Sequence, residues 1–175
     1  MTRKPFAWTK LTPAQIDLME RIAAADNALA YDKLDYRDLL AFEELQKLKI
    51  VDMHPMGRSR LAAVLTNKGQ ELSKATYRTD QIVVRVTGPQ IELLRFLNDA
   101  PERESVGQPE SALQSMMIDV CRRMSLRGWV EWYEGWNGKR WARLTSAGRE
   151  VVNAVDALDE AISQAASARR DGRLH

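Results

Sequence analysis

Apolar residues return at helical spacing in two early stretches of the chain. In "LTPAQIDLMERI" they form a stripe of Ile16, Met19, Ile22 and Ala23; in "VTGPQIELLRFL" the stripe is Ile91, Leu94 and Leu97. Each stretch opens on a threonine, Thr12 or Thr87, with a glutamine three residues on, Gln15 or Gln90. That is capping-box spacing, in which the two side chains satisfy orphan amides at a helix start. Pro13 falls at the first helical position, where a missing N–H costs nothing. Two helices are expected to begin here.

A second pair of helices follows. Residues 36–48 carry one, with Asp35 as its N-cap. Residues 109–126 carry the other, with Leu113, Met116, Met117, Val120, Cys121 and Met124 as a wide buried stripe and Gly128 as its stop. There is room for a short extra helix at residues 27–34; the equivalent "NDAPERESVGQPE" is too polar and proline-rich for one. Each second helix runs into a hairpin. The first turns near residues 55–57, and the second at Asn137 and Gly138, a strong turn dipeptide. Thr66 and Thr145 then cap one further helix each. The last of these carries Val151, Val155, Leu158, Ile162 and Ala165 at spacings 4, 3, 4, 3, a heptad seam suited either to pairing two chains or to lying on its own domain. The tail "ARRDGRLH" is expected to fray.

These parallels are an internal repeat. Aligned without gaps, Ala142, Leu144, Thr145, Gly148 and Glu150 match Ala63, Leu65, Thr66, Gly69 and Glu71. "LQKLKIV" sits where "RMSLRGWV" sits, and Thr12, Gln15, Ile16 and Leu18 recur as Thr87, Gln90, Ile91 and Leu93. Three landmarks in one order imply two tandem domains, residues 8–79 and 83–160, with residues 161–175 as a helix end and tail. The expected class is α+β: mainly helical, with small β-hairpins.

Composition narrows the chemistry. The 175 residues are 45% hydrophobic and 29% charged, a globular balance, and the formal net charge of +2 does not demand a polyanionic partner. One cysteine rules out a disulfide framework within the chain. "MTRKPFAWTK" has no apolar run of the signal-peptide kind, and no stretch approaches the roughly 20 apolar residues of a membrane helix. His54 and His175 are the only histidines, no Cys/His metal spacing occurs, and no phosphate-binding glycine loop is present. Neither catalysis, a cofactor nor a metal is expected.

The order helix, helix, hairpin, "LT-x-x-G", helix resembles the winged helix-turn-helix, and "VLTNKGQEL" and "RLTSAGREV" bring it nearest to the MarR-like branch. MarR-like wings carry Asp-x-Arg before that threonine; "MGRSRL" and "WNGKRW" lack the aspartate. The resemblance implies binding to double-stranded DNA, as a transcriptional regulator of bacterial or phage type in the cytoplasm, on the nucleoid. It places the later helix of each unit in the major groove and the wing on the backbone or minor groove. The candidate contacts in the second unit are Gln114, Ser115, Arg122 and Arg123 on the helix, with Lys139, Arg140 and Arg143 on the wing. In the first unit they are Arg58 and Arg60 on the wing and Arg37 on the helix. Asp38, Glu43 and Glu44 share that last helix and would repel phosphates. It is therefore expected to bind DNA poorly or to meet protein instead, and an interaction adaptor is the rival reading. A homodimer through the C-terminal helix is a further expectation. Trp129, Trp132, Trp136 and Trp141 crowd the second hairpin and read mainly as its core, with Trp136 the most exposed.

Overall fold

The computed structural model describes residues 4–79, 84–99, 107–135 and 138–171. The architecture is α+β, with helices packed on small antiparallel sheets. A strand β1 (Phe6–Trp8) precedes α1 (Pro13–Ala24), β2 (Leu29–Ala30), a 3₁₀ turn (Tyr31–Lys33), α2 (Tyr36–Lys47), β3 (Val51–Met56), β4 (Arg60–Leu65) and α3 (Asn67–Lys74). The order then recurs: β5 (Val84–Val86), α4 (Gly88–Asn98), β6 (Gln108–Pro109), a 3₁₀ turn (Glu110–Ala112), α5 (Ser115–Arg127), β7 (Val130–Glu134), β8 (Arg140–Leu144) and α6 (Ser146–Asp171). The two three-stranded sheets also match, with orders β2-β4-β3 and β6-β8-β7.

Register locates the length difference between the halves. Leu29 pairs with Ala63 and Gln108 with Ala142, so these partners stand 79 positions apart in the two halves, whereas Thr12 and Thr87 stand 75 apart. The four extra residues fall between α4 and β6, where residues 100–106 lie outside those described.

Each half buries its own core. In the first, Leu18, Met19, Ile22, Phe42, Leu45 and Val51 close on one another; in the second, Leu93, Leu94, Cys121, Met124, Trp129 and Val151 do so. Full burial of one such aliphatic or aromatic side chain contributes about 1.5–3 kcal/mol, which sets the phase of each helix. The first stripe is therefore rotated from its expected phase: Leu18 is fully buried and Ala23 is exposed. β1 crosses the sequence division. It pairs with β5, and Phe6 and Trp8 pack on the second core, Trp8 meeting Trp129 edge-on at 6.5 Å.

The caps are as expected. The Thr12 hydroxyl accepts from the Gln15 amide at 3.3 Å while the Gln15 side chain accepts from the Thr12 amide at 2.9 Å, and Gln90 accepts from the Thr87 amide at 2.9 Å. The "LT-x-x-G" junctions share one geometry. The Thr66 hydroxyl accepts from the Gly69 amide and donates to the Lys49 carbonyl; the Thr145 hydroxyl accepts from the Gly148 amide and donates to the Gly128 carbonyl. A Cβ at Gly69 would lie 2.3 Å from the Ile50 carbonyl oxygen, and one at Gly148 would lie 2.1 Å from that of Trp129. The motif is a place where a helix start presses on the backbone leading into the hairpin, and only glycine fits.

Two expected helices differ. Residues 27–34 form only a one-turn 3₁₀ helix, Tyr31–Lys33, and no α-helix: Asn27 takes a left-handed conformation, and its side chain exchanges two hydrogen bonds with the Leu65 backbone, extending the sheet edge into β2. The helix expected from residue 109 begins at Ser115, because Pro109 is spent on pairing β6 with β8. That delay changes the stripe. Leu113 is buried ahead of the helix, Cys121 and Met124 are buried within it, and Met116 is 80% exposed. Gly128 ends α5 in a left-handed conformation; Lys49 stands at the matching position and adopts the same one.

Candidate nucleic-acid interface

α5 turns one polar face outward. Gln114 sits at its N-cap in extended conformation, and Ser115, Met116, Asp119, Arg122 and Arg123 are exposed along that face. There is no acidic residue in the first turn, so the partial positive charge of the helix start is uncompensated and favours an anion. Arg122 reaches Asp119 at 3.4 Å, but both are mostly solvated, and a pair of this kind contributes about 0–1 kcal/mol. Its guanidinium remains available to a phosphate. Arg123 has no hydrogen bond or ion pair among the described residues. Gln114 and Ser115 thus belong to the helix entry, while the arginines lie two turns on.

The second hairpin brings up Lys139 and Arg140, both exposed beside the turn. The Arg140 guanidinium lies 4.5 Å from the Trp132 ring centre, a cation–π contact that holds the cationic end of that side chain against the ring. Arg143 is not at the tip. It sits within β8, half-buried, with its Nε donating to Glu131 at 2.6 Å and its guanidinium 4.9 Å from the Tyr133 ring, so its charge is engaged inside the sheet. Asn137 and Trp136, expected at the turn, lie outside the described residues. Of the other tryptophans, Trp129 is buried in the second core, Trp132 packs half-buried against it, and Trp141 is half-buried on β8.

In the first half, Arg58 and Arg60 are exposed at the β3–β4 turn, which runs through Gly57, Arg58 and Ser59 rather than through Pro55. Pro55 stays within β3 because that strand is the sheet edge, where a missing N–H is tolerated. The three acids of α2 have separate fates. Asp38 is 4% exposed, joins Asp35 in capping the helix, and is held by Arg21 Nη1 at 2.8 Å to each oxygen. That hydrogen bond raises the Arg21 pKa further above its ordinary value. Glu44 accepts from Gln15 Nε2 at 2.8 Å and lies 3.6 Å from Arg127 Nη2 of α5. Only Glu43 is left to solvent. The Arg37 guanidinium reaches toward the end of α5, since a Cβ on Gly128 would stand 3.1 Å from its Nη2. α2 therefore lies against the chain's own second half through Arg37 and Glu44.

The structure adds Met116 and Arg127 to the residues that matter here. Met116 was hidden by the assumed helix start; Pro109, read as a strand residue, would have exposed it. Arg127 carried only the weak signal of a cation in a last helical turn. Among the described residues, no helix is long and apolar enough to cross a membrane. No family model, curated protein or solved structure matches the chain.

Proposed function

We propose that the chain is a transcriptional regulator that binds double-stranded DNA through two winged helix-turn-helix units of MarR-like type, residues 8–79 and 83–160. The observation that carries this reading is the doubled element order, in which a helix leads through a strand and a short turn to a second helix and a hairpin, with the leading strand laid against the hairpin's return strand. The second unit does most of the binding. The start of α5 offers Gln114 and Ser115, and its outer face two turns on offers Arg122, to base edges, and Lys139 and Arg140 meet phosphates. The first unit contributes Arg58 and Arg60 from its wing, while α2 braces α5.

Polarisation of a labelled random-sequence duplex against protein, at a series of salt concentrations, tests the reading. We expect binding at low salt that weakens linearly in log–log form. Absence of binding at the lowest salt would reject it in favour of the adaptor reading. Tyr36 at 68% exposure, with Met56 and Leu61 on the first wing, is the observation that favours that alternative, since exposed apolar groups mark protein contact.

A further inference from the structure

The hairpin of the first half projects from the body. Residues 54–61 are all exposed, so the last three residues of β3, roughly 10 Å of ribbon, stand clear of the core. The projecting tip is apolar as well as cationic. Met56 and Leu61 are 47% and 46% exposed. Pro55 lies directly across the ladder from Leu61, and Arg60 from Met56, with Arg58 on the turn between the strands. Neither arginine has an ion pair among the described residues, and the sequence holds no carboxylate between Asp52 and Glu71. The second hairpin is built differently. At the matching positions Pro55 and Leu61 become Glu134 and Arg140, opposite charges facing each other across the ladder, and Met56 becomes Gly135.

We infer that the first hairpin is a wedge that enters the minor groove and kinks the duplex, with Met56 and Leu61 pressed against opened base steps. This rests on the DNA-binding reading and adds bending to it. The minor groove is about 6 Å wide and about 7.5 Å deep. The ribbon is long enough to reach its floor, but two strands about 4.8 Å apart, with their side chains, enter only if the groove opens. Arg58 and Arg60 draw the tip in, because a narrow minor groove concentrates negative potential. Met56 and Leu61 gain nothing from phosphates. Base faces are the apolar surface that a duplex offers, and reaching them unstacks a step and bends the DNA by about 20–90° toward the major groove. Pyrimidine–purine steps such as TA open most readily, so the preferred site carries one beneath the first wing. The halves then divide the work: α5 reads bases, and the half whose α2 lies against α5 shapes the DNA.

The test uses the full-length protein and a duplex of about 30 base pairs that it selects from a random pool. Energy transfer between dyes on the two ends reads the bend. 2-Aminopurine, replacing each adenine in turn, brightens where a step is unstacked. Polarisation reads binding separately. Wild type should raise the transfer and brighten one step. Met56→Ser with Leu61→Ser should return both signals to those of the free duplex at saturation, while the salt slope stays that of wild type because both arginines remain. Both side chains stand in solvent, so the variant should keep its Tm. Bound DNA that stays straight, or a bend that survives in the variant, would overturn the wedge and leave the DNA reading standing. Absence of binding to the pool at the lowest salt would reject both.

Discussion

Gly69 and Gly148 occupy the points where a helix start touches backbone, and no side chain can yield there. Gly148→Ala would set a methyl 2.1 Å from the Trp129 carbonyl oxygen, and Gly69→Ala one 2.3 Å from that of Ile50. Each should lower stability by about 3 kcal/mol, because helix and strand joint must part. Gly57→Ala meets nothing within 4 Å and carries only a left-handed backbone, so about 1 kcal/mol is expected. Urea midpoints for the three variants give the comparison, and equal losses would contradict it. At Cys121, burial pushes the thiol from 9.0 up to about 12, with Glu110 adding to the shift and Arg140 opposing it. The folded value lies above the unfolded one, so the neutral thiol's contribution is complete below about pH 9 and fades as pH climbs toward 12. The stability advantage of wild type over Cys121→Ala should therefore shrink between about pH 8 and pH 11, read as the difference in Tm. A constant difference would show that burial does not hold the proton.

At the scale of elements, α6 divides its seam. Val151, Val152 and Val155 are buried in the second core, and Arg95 of α4 binds Asp156 and Asp159 alongside them. Leu158 and Ile162, 46% and 58% exposed, continue the same stripe beyond the body of the protein. The expected seam is thus intrachain in its first half and uncovered in its second. We propose a homodimer through the uncovered part. Leu158→Asp should then yield a monomer in sedimentation, with Tm lowered only at concentrations where the wild type is dimeric, because association stabilises the native state by mass action. Val155→Asp should instead cost about 3–5 kcal/mol through an unpaired buried charge. A monomeric wild type would end the proposal. Helix periodicity revealed that α6 existed and which stripe was apolar. It could not say where cover stops, since that depends on how far α4 extends beside it. α5 teaches the same lesson in reverse: its register hinged on Pro109 pairing with Trp141, a partner 32 positions away, so Met116 came out on the wrong side.

For the whole molecule, the binding predictions separate the two units. Replacing Lys139 and Arg140 with Ala should weaken all duplexes alike and lower the salt slope by about one unit per lost phosphate contact. Gln114→Ala or Arg122→Ala should cost about 1–3 kcal/mol on a selected site and little on random DNA. Arg58→Ala with Arg60→Ala should matter less, because packing on α5 turns α2 away from independent entry into a groove. Affinity against salt for each variant, on selected and random duplexes, decides this; a larger loss from the first wing would reverse the ranking. The sequence by itself determined the repeat, the caps, the α+β class and the two glycine-bearing junctions. These rest on neighbours within a few positions, where steric and hydrogen-bond demands recur wherever the residues do. Only the tertiary structure decided that β1 belongs to the second core, that Asp38 and Glu44 face inward, that Arg143 is spent on Glu131, and that α2 of one half lies against α5 of the other. Each of these depends on which surfaces meet across long separations, and burial and charge pairing settle that together once the halves are in contact.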